Sequence, residues 1–449
     1  MVTVSTVSWY PVGPTSTHHL GIDGIVLRVR PANIVYGLIV SSFSDAGLRG
    51  VEEKLPYLRH LGVTMIWLSP IFEHPPGNFG YAMTDYTRVD PEHGSNDDVS
   101  RLVQAAHREG LRIVLDFAPN HTSDQHPLYR EVTSTGDGSV YADHYARDIA
   151  GTYTHYFNWT NLINLNYDNP AVQEMVVEAM RYWVIEHDID GYRMDAAWGI
   201  RQRTPRFWPE CLQRLRASKP DLFLLAEAST LDPYYQQAGF DSAYDWTNHL
   251  GTWAWGHAFT DTKGSARDLR YHLERSTANG DVFRFLNNND TGPRFITRHG
   301  PELTRVATAV LLTLPGTPCL YMGDEVGLEF TPYRDRGPVT WSADHPDLFD
   351  FHRRLIALRT RHRLDAGPLT LIDNDRPDHC LSYSRPGADG RPIVCVFNFG
   401  PDAEVAVALG SGLTCDAVDV WNGRVARVDD GVTRVALPHN DFAILALGH

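Results

Sequence analysis

The sequence predicts an α/β protein: a (β/α)8 barrel with a subdomain inserted after the third strand and a C-terminal antiparallel β-sandwich. Three observations predict it. Short apolar runs of strand character alternate with helical patterns, eight strands in all before residue 364. That rhythm breaks once, over residues 117–165, in a stretch rich in His, Tyr, Asp, Gly and Thr. After residue 364 it gives way to short alternating strands separated by turn signals. The expected organisation is a barrel from 1–116 and 166–364, an inserted domain over 117–165, and a sandwich over 365–449.

The strands come in order. Ile34–Val40 and Val63–Leu68 flank a helical pattern over Val51–His60, where Leu55 and Leu58 share a face. Asn96–His107 begins with capping residues and leads to the strand Leu111–Leu115; Gly62 and Gly110 stand where C-cap glycines belong. A structureless loop as long as 117–165 is uncommon in a compact domain unless it is functional or a small subdomain. Alternation returns with the helix Pro170–His187, the strand Ile189–Met194, the helix Arg206–Ala217 and the strand Leu222–Ala226. Asp241–Asp245, Val282–Leu286 and Pro318–Tyr321 complete the strands, with helices Ala266–Ser276 and Glu302–Leu314 between them. β-then-α repetition implies a parallel sheet, and eight units suit a closed barrel. Beyond the helix Leu348–Arg361, turn dipeptides such as Asp389-Gly390, Asn422-Gly423 and Asp430-Gly431 separate six strands between Cys380 and Leu447.

Composition narrows the function classes. The 449 residues are 43% hydrophobic and 21% charged, the balance of a globular protein rather than a disordered or fibrous one. Forty Lys+Arg against 55 Asp+Glu leave a net charge of −15, which argues against a nucleic-acid partner. No apolar run reaches the ~18–20 residues that span a bilayer, so no membrane partner is expected. The N-terminal residues lack a cationic segment followed by an apolar one, and the five cysteines are widely spaced with no CxxC. A cytoplasmic location is the expectation; oligomeric state is left open.

In a (β/α)8 barrel the active site forms at the C-terminal ends of the strands. The third strand ends in Asp116, followed by Asn120-His121; the fourth in Arg193-Met194-Asp195; the fifth in Glu227; the seventh in Asn288-Asn289-Asp290. Four carboxylates, an arginine and a histidine thus surround one mouth. Such a cluster fits divalent-metal binding or glycosidic cleavage by a nucleophile and a raised-pKa acid. A metal site would want more ligands and no arginine among them. Arg193, two residues before Asp195, shares its strand face and would keep it ionised, while an apolar wall could hold the proton on Glu227. No HExxH or CxxC grouping exists, so no zinc site is expected.

The segments LRIVLDFAPNHTS (111–123), DGYRMDAAW (190–198), LLAEAS (224–229) and FLNNND (285–290) resemble the four sequence regions of the α-amylase superfamily, glycoside hydrolase family 13. So do GVTMIWLSPIF (62–72), FGYAMTDY (79–86) and PGTPCLYMGDEVGLE (315–329). The resemblance covers nearly the whole chain, least over residues 1–33. It implies Asp195 as nucleophile, Glu227 as general acid/base, and Asp290 as the third carboxylate, binding the sugar 2- and 3-hydroxyls. It also implies Arg193 beside the nucleophile, His121 on the 6-hydroxyl of the −1 sugar, Tyr81 as aromatic platform and Asp116 as a structural partner of the site.

Two positions depart from that pattern. The family's fourth region usually reads Asn-His-Asp, with the histidine donating to the −1 sugar, whereas here Asn289 replaces it and can still donate to substrate through its shorter amide. Starch-degrading endo-amylases carry Lys-His where this chain has Trp198-Gly199, which offers a stacking face and weakens the case for calcium. Asn120 still matches a calcium-ligand position, so a structural calcium there stays open, though the ion needs about six to eight oxygens. The aromatic residues of the insert (Tyr129, Tyr141, Tyr145, Tyr153, Tyr156, Phe157, Trp159) are expected mainly as its own core rather than as a cleft wall. The expected activity is retaining hydrolysis of α-glucosidic bonds in short oligosaccharides, with no required cofactor. A transglycosidase or isomerase using the same intermediate is the first alternative, and a catalytically silent amylase-like binding protein the second.

Overall fold

The computed structural model describes residues 33–260, 264–276, 281–335, 337–341 and 345–448, with the backbone of Gly21–Ile22 and Ile25–Val26. Most of the least-matched N-terminal stretch therefore lies outside the described residues.

Eight parallel strands close into a barrel in chain order: β1 (Val35–Leu38), β2 (Met65–Leu68), β3 (Arg112–Phe117), β4 (Gly191–Met194), β5 (Phe223–Ser229), β6 (Ser242–Tyr244), β7 (Val282–Phe285) and β8 (Thr317–Tyr321). Each strand follows its predicted apolar run. Their burial on both faces is what a strand between barrel interior and helical ring requires. Register does functional work here. Arg193 pairs with Asp116 across β4–β3 and with Leu225 across β4–β5. Residues paired across parallel strands share a face, as do residues two apart. Asp116, Arg193, Asp195 and Glu227 are therefore sent to the same side before any side chain is considered.

The helical ring largely follows the expected pattern. The helix Asn96–Arg108 opens with Ser95, whose Oγ accepts from the Asp98 N–H while the Asp98 carboxylate accepts from the Ser95 N–H at 2.8 Å. Gly62 ends the preceding helix at φ 101°, the left-handed position expected of a C-cap glycine. The predicted helix over Val51–His60 is instead two, Leu48–Glu53 and Leu55–Leu61, because Pro56 lies in the first turn of the second and cannot donate backward. The helix predicted from Glu302 begins at Phe295 and is kinked at Gly300, φ 77°, just before Pro301.

Residues 117–165 are more ordered than their sequence suggests. They hold a three-stranded antiparallel sheet in the order His121–Ser123, Trp159–Asn164, His155–Tyr156, and a helix over Pro127–Thr135. The helix is capped by His126 Nδ1, which accepts from Leu128 N–H, with Pro127 at the first helical position.

The C-terminal region is antiparallel throughout, as expected, and its eight strands form one continuous hydrogen-bonded sheet. The sheet folds over on itself: Val394, Val396, Val405, Val407, Ala417, Val428 and Leu445 share one apolar cluster, and a bridge joins Asn374 to Val407 near the two ends. Two strands escaped the sequence reading, Thr370–Leu371 and Val425–Asp429, the first because two residues carry no period and the second because alternate positions are largely polar. The outer face of this sheet joins the barrel core through Tyr383, Phe397 and Phe442, and Tyr383 shares a 2.6 Å hydroxyl contact with Thr313. Among the described residues no helix is long and apolar enough to cross a membrane.

Candidate active site

One buried guanidinium organises the mouth of the barrel. Arg193 is fully enclosed, and its Nη1 donates to Asp195 Oδ1 at 2.6 Å and to Asp116 Oδ1 at 2.9 Å. Its Nη2 lies 2.9 Å from Glu227 Oε1, an ion-pair contact without the alignment of a hydrogen bond. Its Nε donates to the Tyr244 hydroxyl at 3.1 Å. Burying one cation is costly unless it is paired, and here three carboxylates surround it.

Backbone geometry completes the pairing of Asp195 with Glu227. Ala196, next after Asp195, sits at φ 47°, a left-handed conformation that a residue with a side chain rarely adopts. The turn aims the Ala196 N–H at Glu227 Oε2, 2.6 Å away. Such local strain, held by the surrounding structure, is characteristic of functional sites. Burial drives the Glu227 carboxyl well above its ordinary range; Arg193 and the Ala196 N–H pull the other way, while Asp195 and Asp290 push it further up. Burial is also the largest cause of the upward shift at Asp290, again opposed by Arg193. Asp116 is raised to about 7 by burial, against the pull of Arg193 and Tyr81.

The sequence-predicted residues gather around this centre. The Tyr81 hydroxyl donates to Asp116 Oδ2 at 3.1 Å and accepts from Asn289 Nδ2 at 3.1 Å. Asn289 Nδ2 also reaches Asp290 Oδ2 at 3.1 Å, which ties the platform tyrosine to the third carboxylate. Both contacts of the Asn289 amide nitrogen thus lie within the protein, and Asn289 Oδ1 is buried without a partner among the described residues. Turning the amide over would set its oxygen against the Asp290 carboxylate, so the orientation is determined electrostatically. Asp290 itself is placed by a turn in which its N–H donates to Asn288 Oδ1 at 2.9 Å. His121 reaches the site, but its Nε2 faces the Tyr81 carbonyl at 3.1 Å and its Nδ1 faces Asn120 Nδ2 at 3.2 Å. Both ring nitrogens are therefore engaged within the protein.

Trp198 stands on the short helix Ala197–Arg203 that follows β4, against Phe157 and Tyr156 with ring centroids 5.4 Å and 5.9 Å away. Tyr156 also packs on His121 at 5.1 Å. The aromatic residues of the insert thus divide. Tyr129, Tyr145 and Tyr153 pack edge to face as its core, whereas Tyr156 and Phe157 face Trp198. Phe157, at φ 49°, is 59% exposed despite its apolar ring. The Tyr156 phenol is raised by burial and then by Glu227, Asp195 and Asp290, which places it in the field of all three carboxylates.

Sequence reasoning missed four contributors. Tyr244 is held by its contact with Arg193, and Trp67 Nε1 donates to Asp116 Oδ2 at 3.3 Å. Tyr333, left-handed at φ 63°, brings its hydroxyl to 3.4 Å from that of Tyr81 and packs against Phe79 with ring centroids 4.5 Å apart. Tyr156 is the fourth. Trp67 and Tyr244 were detectable as polar-tipped aromatics inside predicted barrel strands; Tyr333 lies in a loop and Tyr156 in a two-residue strand, neither with a period to read.

The Asn120 side chain is hydrogen-bonded within the protein. Its Oδ1 accepts from Arg203 Nη2 at 2.7 Å, and its Nδ2 donates to Asn164 Oδ1 at 3.0 Å.

Comparison with known proteins agrees with this architecture. The family model described as the alpha amylase catalytic domain matches residues 41–347. The chain is 29% identical over 430 residues to a maltogenic alpha-amylase of Bacillus acidopullulyticus, covering 90% of this chain and 71% of that protein. It is 31% identical over 380 residues to an intracellular maltogenic amylase of Bacillus subtilis, covering 80% of this chain and 63% of that protein. Among solved structures, an alpha-amylase from Geobacillus thermoleovorans complexed with acarbose superposes with a TM-score of 0.78 at 25% identity, covering 93% of this chain and 98% of that one.

Proposed function

The chain belongs to the α-amylase family of α-glycosidases, and from that premise we propose that it is a retaining hydrolase of α-glucosidic bonds in short oligosaccharides. The observation that carries this reading is the pair of carboxyls held by adjacent nitrogens of one buried guanidinium, Asp195 on Nη1 and Glu227 on Nη2. Such a clamp draws two carboxyls from different strands close together, as a retaining mechanism requires. It also leaves them in unequal environments, since Glu227 has its proton favoured by burial.

The chemistry follows. The Asp195 carboxylate attacks the anomeric carbon as the C–O bond to the leaving sugar breaks. The Glu227 carboxylic acid gives its proton to the departing oxygen. Water then enters from the vacated side, Glu227 takes its proton, and the ester to Asp195 is cleaved with net retention. Asp290 would hold the ring hydroxyls of the −1 sugar as positive charge develops. Arg193 orients Asp195 and lowers the cost of its charge.

Two features favour short substrates: Tyr156 and Phe157 of the insert close over Trp198, and the two Bacillus relatives carry maltogenic names. The same aromatic wall supports a second reading, transfer of the glycosyl group to a sugar acceptor stacked on Trp198 and Phe157. An intracellular location is consistent with five buried free cysteines and with the name of the Bacillus subtilis relative. The test is to incubate the protein with maltotriose and an aryl α-glucoside, following products by proton NMR. Release of the α-anomer first supports retention, and longer products support transfer. Release of the β-anomer first would overturn the mechanism, and no release from either substrate would overturn the assignment as a hydrolase.

A further inference from the structure

The seam between the inserted subdomain and the barrel is held by polar contacts that converge on Asn120. Every hydrogen-bonding group of its side chain is committed. Oδ1 accepts from Arg203 Nη2 at 2.7 Å; Nδ2 faces Asn164 Oδ1 at 3.0 Å and His121 Nδ1 at 3.2 Å. Its backbone carbonyl accepts from Leu165 N–H at 3.1 Å. The amide cannot be turned over, since that would set its NH2 against the guanidinium. Asn164 continues the chain to Thr154 Oγ1 at 3.2 Å. Arg203, on the helix after β4, is thereby linked through Asn120 to both ends of the insert and to His121.

We propose that Arg203 is a built-in cation that takes the place of a divalent ion at this seam, making it a positioning residue for His121. A calcium ion needs about six to eight oxygens, and the Asn120 oxygen is already taken by a positive group. A divalent ion brought to that oxygen would also meet the fixed guanidinium charge at short range. The nearby carboxylates are engaged elsewhere: Asp143 accepts from Asn166 and Asn169, and Asp168 from Thr204. Gly199 fits the same arrangement. A Cβ there would come within 2.6 Å of Asn120 Oδ1, so the absent side chain makes room for the Asn120–Arg203 contact. Trp198-Gly199, which departs from the starch-hydrolase pattern, thus has a structural reason at its second position. Arg203 has no carboxylate partner among the described residues; burial lowers its pKa and the Tyr167 phenol opposes that. Its charge is therefore directed at the Asn120 oxygen.

The test is independent of the substrate reading, because its main readouts are thermal midpoint and metal content. The full chain is dialysed against EDTA, its calcium measured by plasma mass spectrometry, and its Tm recorded by calorimetry with EDTA or with excess calcium chloride. The expected result is calcium far below one per chain and the same Tm in both. Arg203→Met orphans the buried Asn120 oxygen and is expected to lower Tm by about 1–3 °C. It should also raise KM several-fold with a smaller change in kcat, and Arg203→Lys should restore part of both. Gly199→Ala, which keeps the arginine but crowds its contact, should shift Tm the same way and serves if the methionine variant does not fold. Stoichiometric calcium in the wild type, or an EDTA-induced fall in Tm that calcium reverses, would overturn the proposal. So would an unchanged Tm and KM in Arg203→Met, or, if that variant does not fold, an unchanged Tm in Gly199→Ala.

Discussion

Glu227→Gln separates the acid role of this residue from its place in the ion-pair network. Glu227 accepts the Ala196 N–H on Oε2 at 2.6 Å, and its Oε1 lies 2.9 Å from Arg193 Nη2 in an ion-pair contact. Both neighbours are donors. The carboxylic acid that burial favours and a glutamine each present one oxygen and one hydrogen-bearing group to them, so the substitution keeps the local pattern, and any strain it adds falls on every substrate alike. Loss of the proton does not: general acid catalysis contributes about 10²–10⁴-fold, and a leaving group of low pKa needs little of it. Because kcat/KM reports only steps up to the glycosyl-enzyme, it isolates the acid role from the later base role. We therefore expect kcat/KM on an α-linked disaccharide to fall about 10²–10⁴-fold further than on an activated aryl α-glucoside. A pH profile adds a second readout. Burial raises the Glu227 pKa, so the acid form persists above the usual carboxyl range and activity is lost as pH rises through the raised value. The glutamine variant should lack that alkaline limb on the aryl substrate. Equal losses on both substrates, with the limb retained, would refute the assignment.

Three further outcomes are expected. Asp195→Asn should abolish turnover while leaving sugar binding measurable by calorimetry, since an amide cannot form the covalent ester; near-wild-type rates would remove Asp195 from the nucleophile role. Asn289→His should lower kcat/KM on the preferred substrate roughly 5–150-fold, because Asn289 Nδ2 bonds both Tyr81 and Asp290 and one imidazole N–H can keep only one of them; a uniform gain across a panel of disaccharides and aryl glycosides would contradict this. Glu325, fully buried and receiving the hydroxyls of Tyr36 and Tyr57 at 3.0 and 2.8 Å, has its pKa raised by burial from 4.5 to about 7. Between those values the folded chain holds a proton that the unfolded chain has lost, so stability is full below about pH 4.5 and declines as pH rises toward 7, by about 3 kcal/mol. Glu325→Gln should flatten that decline in denaturant titrations at pH 5 and pH 8, and parallel pH dependences in the two proteins would disprove it.

Much of the fold and site was legible because local rules and global architecture agree. Apolar periodicity marked all eight barrel strands, and barrel closure then sent every strand-end polar residue to one mouth. The placement of Asp116, Arg193, Asp195 and Glu227 follows from a period of two and parallel register alone. The insert was less legible: its strands are two to six residues long and its helix opens with a histidine cap, signals too short or too rare to separate from loop. The C-terminal region was legible as antiparallel, but not the order in which its strands join, because alternation reports which face a residue occupies and not how strands meet at the edges.

By itself the sequence determined residue types, their order and the faces they share, and so the identity of the carboxylates at the barrel mouth. Only the tertiary structure decided how those groups use their valences. The sequence places a donor at Asn289, but only the fold shows its Nδ2 reaching the Tyr81 hydroxyl and the Asp290 carboxylate. Nothing in the sequence shows that Arg203, 83 residues away, reaches the Asn120 oxygen. Tyr156 and Tyr129 were indistinguishable as aromatics of one insert until packing sent one over the carboxylates and the other into a core. Hydrogen bonds are saturable and directional, so a polar group's role depends on which partner reaches it first, and that is settled by contacts between segments remote along the chain.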